Sequence, residues 1–451
     1  MNTLMPPLPQ SIQSESDADL GRQMHEFISE LYPICRSITG DGVRETLRII
    51  SLSVPLNVQE VPTGTAAFDW VVPREWNIRD AWVKNGRGEK IVDFRRSNLH
   101  VLNYGAPVHK KVRLAELDEH LFSMPDRPDW IPYRTSYYKD AWGFCLSDNQ
   151  RRQLVDDEYE VLIDSTLEPG HLTYGEYYLP GESEDEILIS CHVCHPSLCN
   201  DNLSGISVAT FLAKALMTRR RRYSYRFLFI PGTIGSITWL SRNQDGVSRI
   251  KHGVVLTCVG DRAGFTYKKS RRGNTEIDRA FLDALKRSGQ EWKSIEFYPY
   301  GYDERQFCSP GFNLAVGCLM RSQHGTFPEY HTSADDLHLV SPDALRDTYR
   351  LCLEVFEMLE HNCVYVNQNP KCEPQLGKRG LYGSVGGATP GLEMAYLWVL
   401  NFSDGEHSLL DIAERSGIHF PKIVQAALAL CRNGLLKQMA ADQHERIAGG
   451  L

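Results

Sequence analysis

Between residues 158 and 366, short apolar runs alternate with longer amphipathic ones, and this alternation limits the architecture more than any other feature of the chain. The runs Tyr159–Ile163, Ile187–Cys191, Tyr225–Ile230, Val254–Cys258 and Leu314–Leu319 are mostly apolar and short enough to be strands. Between and after them, Leu203–Met217, Ile277–Arg287 and Pro342–His361 place apolar residues at helical spacing. Strands that are apolar on both faces, with helices between them, belong to a mostly parallel sheet covered on both sides. The expected fold class is an α/β sandwich around a mostly parallel, mixed sheet. Ligands of such sheets gather at the carboxyl ends of the strands.

The flanking regions differ in texture. Helical periodicity runs from Asp17 through Leu31, and a second helix fits Val43–Leu52 after the turn TGDG. Over residues 58–146, segments rich in Val, Trp and Tyr alternate with Gly, Pro and Asn turns, the pattern of a small β-rich domain. It would interrupt an α/β domain made of residues 17–57 and 147–366. Residues 1–16, rich in Pro, Ser and Gln, are expected to be a disordered tail, and 367–391 a Pro- and Gly-rich linker. In 392–451 the helices Leu392–Phe402, Ser408–Ser416 and Phe420–Asn433, a turn at Gly417 and an apparent β wing suggest a winged helix-turn-helix.

Composition narrows the function classes. The net charge of −8 argues against wholesale binding of nucleic acid or an anionic membrane. Across Leu392–Met439 five acidic residues oppose four basic ones, poor electrostatics for a phosphate backbone. The winged helix is therefore expected to make protein contacts, and it or the β-rich domain to support a homo-oligomer. MNTLMPPLPQ has no basic start followed by an apolar stretch, and no run reaches the roughly 20 apolar residues of a membrane span. A reduced, cytoplasmic protein is the expectation despite twelve cysteines, of which Cys258, Cys318 and Cys352 sit in apolar runs as buried thiols. Cys191 to His195 matches the C-x-x-C-H haem pattern without the export signal that chemistry needs. Cys191, Cys194 and Cys199 lack the second pair of a zinc finger.

The chemistry concentrates in residues 187–205, ILISCHVCHPSLCNDNLSG. An apolar run delivers His192 to a strand end, and Asp201 follows just before a helical run; His331 in PEYHTSADDL is a third candidate donor. Imidazole and carboxylate donors so placed suit a hydrolytic zinc site. These segments resemble the co-catalytic zinc aminopeptidase superfamily, which includes the glutaminyl cyclases. The resemblance implies that His192 and Asp201 bind one metal, with Asp201 bridging to a second that His331 also holds. It also implies two adjacent Glu residues, a base and a ligand, where FIPGTIGS offers Gly232 and Thr233. The usual ligand Asp would fall near Thr257, and Asp261 is the nearest carboxylate. One zinc held by His192, Asp201 and His331 is therefore expected. The base must come from elsewhere: from Glu329, two residues before His331, or from Asp303 and Glu304 in YGYDERQF, a segment that reaches the site in the superfamily. Arg36, Arg271 and Arg272 are candidate anchors for a substrate carboxylate, and His195 a candidate pocket wall or a partner of the ligands.

Within the superfamily, LYPICRSITGDGVR, FDWVVPREWNIRDAW, DWIPYRTSYYK, CHPSLCNDNLSG, FIPGTIGSI and FPEYHTSADDL resemble a bacterial aminopeptidase-like family with an inserted β-rich domain and a C-terminal winged helix. That family implies a zinc-dependent, peptidase-like site and an association with polysaccharide or secondary-metabolite pathways. The expected activity is hydrolysis of a peptide or aminoacyl amide bond in a small substrate. One competing reading is a non-catalytic ligand-binding or assembly protein on a degraded site, favoured by the absent Glu pair. Another is a transcriptional regulator built on the winged helix, which the weak basic charge disfavours.

Overall fold

A computed structural model describes residues 17–382 and 392–439. The expected tail, most of the Gly-rich end of the expected linker (383–391) and the last twelve residues of the winged-helix segment lie outside the described residues. The chain divides into two compact units, with the boundary at Glu354, inside the helix Pro342–His361.

The larger unit is built on an eight-stranded mixed sheet. Numbered along the chain within this sheet, the strands are β1 (Asn57–Pro62), β2 (His171–Leu179), β3 (Glu186–His192), β4 (Ser224–Ile230), β5 (Ile250–Leu256), β6 (Phe265–Lys268), β7 (Trp292–Ile295) and β8 (Val316–Met320). Their order across the sheet is β1-β2-β4-β3-β5-β8-β6-β7. The four central strands are parallel: β3 pairs with β4 and β5, and β5 with β8. On one side β2 runs antiparallel to β4; on the other β6 runs antiparallel to β8. Every residue of β3 is buried, as expected of a strand with helices over both faces. The helix Ser204–Met217 follows β3 and is likewise buried along most of its length.

One expected strand sits elsewhere. Tyr159–Ile163 is part of Glu158–Glu168, which pairs antiparallel with Glu75–Lys84 and Val108–Arg113 in a separate four-stranded sheet. Its side chains alternate buried and half-exposed, the mark of a strand with one wet face rather than one inside a parallel sheet. Conversely Asn57–Pro62, at the expected domain boundary, is an edge strand of the central sheet.

The smaller unit has a three-stranded antiparallel sheet, Asp404–Ser408, Val364–Asn367 and Leu436–Gln438, and the helices Glu393–Phe402, Leu409–Ser416 and Phe420–Arg432. It is a winged helix-turn-helix. Ser408 and Asp411 form a reciprocal capping box at the start of the second helix, and Gly417 closes it with φ 68°, conditions that favour Ser at one end and Gly at the other. Val364–Asn367, expected at the end of the α/β domain and the start of the linker, is instead the central strand of this sheet, because its hydrogen bonds go to both wing strands.

Candidate metal centre

The sheet topology creates the site. Because β3 and β5 run parallel, their carboxyl ends and the loops that follow lie at one edge, and His192 is the last residue of β3. The chain then makes a wide turn, Cys199–Leu203, before the helix Ser204–Met217. Asp201 sits in that turn, fully buried, and its backbone N–H donates to Asp335 Oδ2 at 3.0 Å while Asn200 N–H donates to Asp335 Oδ1 at 2.5 Å. The Asn200 side chain donates to Asp261 Oδ2 at 2.7 Å. Asp261 thus braces the Asp201 turn through Asn200. Asp335 lies in the same YHTSADD segment as His331, so that segment supplies both a site imidazole and a support for the turn. Burial pushes the Asp335 carboxyl up to about 8.

Three imidazoles converge on Asp201. His192 Nε2 lies 2.8 Å from Oδ1, His331 Nε2 3.0 Å from Oδ2, and His195 Nε2 3.8 Å from Oδ2. The Tyr302 hydroxyl stands 2.9 Å from both carboxylate oxygens and 3.2 Å from the Tyr330 hydroxyl. Tyr302 stacks on His192 at 4.1 Å, and Tyr330 on His331 at 3.9 Å. Burial pushes the Asp201 carboxyl up, but the imidazoles of His195, His192 and His331 outweigh it and hold that carboxyl well below the usual range. Burial drives the His195 imidazolium down, so the ring is neutral. Donor atoms of His192, His195 and Asp201 lie within 4.8 Å of one another. A buried carboxylate ringed by imidazoles is a donor set that zinc accepts.

The β-rich insertion contributes to this edge. Tyr133 N–H donates to His331 O at 2.7 Å, and Ile131 and Ser333 exchange two further hydrogen bonds. His331 has φ 56°, a left-handed conformation that costs a non-Gly residue of order 1 kcal/mol and persists only when its surroundings fix it. Tyr133 also walls the site, with ring centroids 5.2 Å from His195 and 5.1 Å from His331.

Beside His192 and Tyr302 lies a second group of buried polar residues. A Cβ on Gly232 would stand 3.2 Å from His192 Cβ and 3.6 Å from Asp303 Oδ1. Glycine thus leaves room for Asp303 beside His192, at the loop where the superfamily resemblance implies a Glu pair and this chain has Gly232 and Thr233. Asp303 Oδ1 accepts from Ser236 Oγ at 2.9 Å, Oδ2 has no partner, and burial pushes the carboxyl up to about 6. Glu304 Oε1 pairs with Lys268 Nζ at 2.8 Å, both side chains fully buried, while Oε2 has no partner. His324 is buried beside Tyr302, ring centroids 5.6 Å apart, and neither of its nitrogens is hydrogen-bonded.

The remaining sequence candidates are placed as follows. Glu329 is half-buried and engages Thr332 through its backbone carbonyl, and its carboxylate makes no hydrogen bond or ion pair with the groups around Asp201. Arg36 is buried and donates to His195 O at 2.8 Å and Leu31 O at 2.8 Å. It fixes the His195 backbone, and its Nη2 is buried without a partner. Arg271 and Arg272 are exposed, and Arg271 donates to Asn313 Oδ1 at 2.9 Å. Because β6 runs antiparallel to β8, the chain leaving β6 emerges where the parallel strands begin, at the far edge from His192. A substrate anchor at those arginines does not fit this topology. All twelve cysteines are free thiols, with Cys258, Cys318 and Cys352 buried as expected. No helix among the described residues is long and apolar enough to cross a membrane. Tyr302, Tyr330, Tyr133, Asp335 and His324 carried no sequence signal beyond adjacency to the motifs.

Comparison with known proteins places the fold and the family. The family described as a domain of unknown function (DUF4910) matches residues 25–362, and a winged helix-turn-helix family matches 363–438. A Clostridium acetobutylicum protein described as a candidate polysaccharide biosynthesis protein with an aminopeptidase-like domain is 55% identical over 94% of this chain and 98% of its own. The crystal structure of a candidate peptidase from the same organism superposes with a TM-score of 0.90 at 54% identity, covering 94% of this chain and 97% of that one. A zinc aminopeptidase from Bacillus subtilis shares the fold, with a TM-score of 0.53 at 13% identity over 74% of this chain and 94% of its own. With three imidazoles gathered on a buried aspartate at the carboxyl edge of an aminopeptidase-like sheet, and a winged helix following, the chain belongs to the DUF4910 family.

Proposed function

We propose that this protein is a zinc-dependent hydrolase that cleaves a peptide or aminoacyl amide bond, with a single ion held at Asp201. The observation that carries this reading is the convergence of His192, His195 and His331 on one fully buried carboxylate. Zinc bound there supplies a Lewis acid for the scissile carbonyl and a water of lowered pKa.

The protein's own groups do the rest. Tyr302, bonded to both oxygens of Asp201, fixes the carboxylate plane, and its stacking holds His192 in place. Asp303 is the base: its pKa near 6 leaves Oδ2 ionised and unpartnered at neutral pH, close to the operating value at which a base is most effective. Oδ2 accepts the proton of the attacking water and returns it to the departing amine. Tyr133 shields one side of the site from solvent, and its hydroxyl is tied to Tyr137 at 2.9 Å. Since the Clostridium relative carries a polysaccharide description, an aminoacyl group on an amino sugar joins small peptides as a substrate class. The catalytic unit would be cytoplasmic, and the winged helix a site of protein contact between subunits.

The test is amine release from a panel of aminoacyl amides, dipeptides and aminoacyl amino sugars, with zinc and with chelator. His331→Ala serves as the inactive control. Zinc-dependent turnover of any member that is lost in the variant supports the reading; a zinc-loaded protein silent across the panel removes it in favour of a binding protein on the same fold. Glu329→Gln, at a carboxylate with no hydrogen bond or ion pair to the groups around Asp201, is expected to leave turnover unchanged.

A further inference from the structure

His192 and His195 leave the same strand end three residues apart, and their second ring nitrogens are wired in opposite senses. His192 Nδ1 lies 3.3 Å from Asn202 Nδ2. The Asn202 amide has one orientation: its Oδ1 accepts from Gly205 N–H at 3.2 Å and Cys258 N–H at 3.3 Å, and its Nδ2 donates to Leu256 O at 2.8 Å. Turned over, it would set oxygen against oxygen and amide hydrogens against two backbone N–H groups. The second Nδ2 hydrogen is therefore presented to His192 Nδ1, which accepts it. A neutral imidazole carries one N–H, so that hydrogen is on Nε2, directed at Asp201 Oδ1 at 2.8 Å.

His195 is the reverse. Cys194 Sγ lies 3.7 Å from Gly232 O and 3.5 Å from His195 Nδ1. The Gly232 carbonyl can only accept, so a thiol hydrogen directed at it leaves the sulfur to accept from His195 Nδ1–H. His195 Nε2 is then a bare lone pair 3.8 Å from Asp201 Oδ2. His331 Nε2 meets the same oxygen at 3.0 Å. A lone pair facing a carboxylate oxygen repels it unless a cation lies between. Zinc, at about 2.0–2.2 Å from nitrogen and oxygen donors, fits such a gap.

We propose that His195, not His192, joins Asp201 and His331 as a ligand of the ion, and that His192 is a positioning residue donating through Nε2 to Asp201. This rests on the zinc site of the proposed function and revises the ligand set that the sequence motifs suggest. Cys194 and Asn202 are the partners that set the two tautomers, the role outer hydrogen bonds play at metal-bound histidines.

The experiment measures zinc content and affinity of the full chain, with cobalt absorption as a second readout, for wild type, His192→Gln, His195→Gln, His331→Gln and Cys194→Ala. His192→Gln is expected to keep one ion with less than about tenfold weaker binding. His195→Gln and His331→Gln should lose it, and Cys194→Ala, which leaves every imidazole in place, should bind about 10–100-fold more weakly. Thermal melting of each variant separates loss of ligand from loss of fold. Nitrogen-15 spectra of metal-free wild type should show His192 protonated at Nε2 and His195 at Nδ1, and the opposite assignment overturns the proposal without any variant. An ion lost from folded His192→Gln but kept by His195→Gln overturns the ligand assignment alone. Wild type that takes no zinc at saturating concentration overturns it together with the zinc reading.

Discussion

The two groups of buried polar residues near Tyr302 are opposites in how their atoms are satisfied. In one, Asp201 is saturated: three hydroxyl or imidazole groups lie within 3.0 Å of its oxygens, and its backbone is held by Asp335. In the other, Asp303 Oδ2, Glu304 Oε2 and both nitrogens of His324 are buried without partners. Leaving a buried polar group unpaired costs about 1–3 kcal/mol, so such groups are kept where something transient completes them. The contrast separates a part of the site that is organised in advance from a part that waits for a substrate or a proton.

Removing the organised centre gives the largest expected effect. Asp201→Asn should abolish zinc retention and lower kcat/KM by about 10³-fold or more, since it removes the group on which all donors converge. Metal content and turnover measured together check this; an active, zinc-replete variant would move the centre elsewhere.

The next effect falls on stability. Lys268 and Glu304 are fully buried with one hydrogen bond between them. Lys268→Met leaves the Glu304 carboxylate unneutralised and is expected to cost about 3–5 kcal/mol, whereas Lys268→Met with Glu304→Leu should recover most of that loss. Denaturant melts of the single and double variants decide it. A double variant no more stable than the single would show that Glu304 is held in place by more than the lysine.

Asp303 carries the pH prediction. Asp303→Asn should retain zinc, lower turnover by about 10²-fold and erase the acid limb of the rate profile near pH 6. Its linkage to stability has a definite sign. The folded pKa lies above the unfolded one, near 3.9, so the native state holds its proton longer. That contribution is present below about pH 4 and is lost as pH rises through about 6. The variant should therefore flatten the fall in melting temperature across that window. A slope unchanged by the substitution would assign the titration to another group.

The sequence made the centre legible but not its surroundings, for a physical reason. His192, Asp201 and His331 announce themselves because a strand end, a helix start and a distal imidazole are local patterns. The Ser408–Asp411 capping box and Gly417 mark the winged helix in the same way. Tyr302, His324 and Tyr133 act through contacts made only in the folded chain, from loops with no periodicity to read. Tyr159–Ile163 belongs to a different sheet from the one expected, because an apolar run of five residues does not say which sheet it joins. The alternation appears only over the eleven residues of Glu158–Glu168, where one face is wet. His195 was visible in the motif, but its ligand role depends on Cys194 and Gly232, which tertiary packing brings beside it.

The smallest effect is predicted for the arginines that sequence reasoning favoured. In a fully parallel sheet, the loop after β6 would open at the same edge as His192, and Arg271 and Arg272 would face a substrate. The antiparallel pairing of β6 with β8 sends that loop to the opposite edge. There Arg271 bonds Asn313 and both side chains are exposed. Arg271→Ala and Arg272→Ala should each change kcat/KM by less than about twofold and stability by no more than about 0.5 kcal/mol, as for surface substitutions generally. A tenfold rise in KM on either change would mean that the substrate spans the sheet from one edge to the other. Specificity would then be set far from the imidazole cluster rather than by the unpartnered groups near Tyr302.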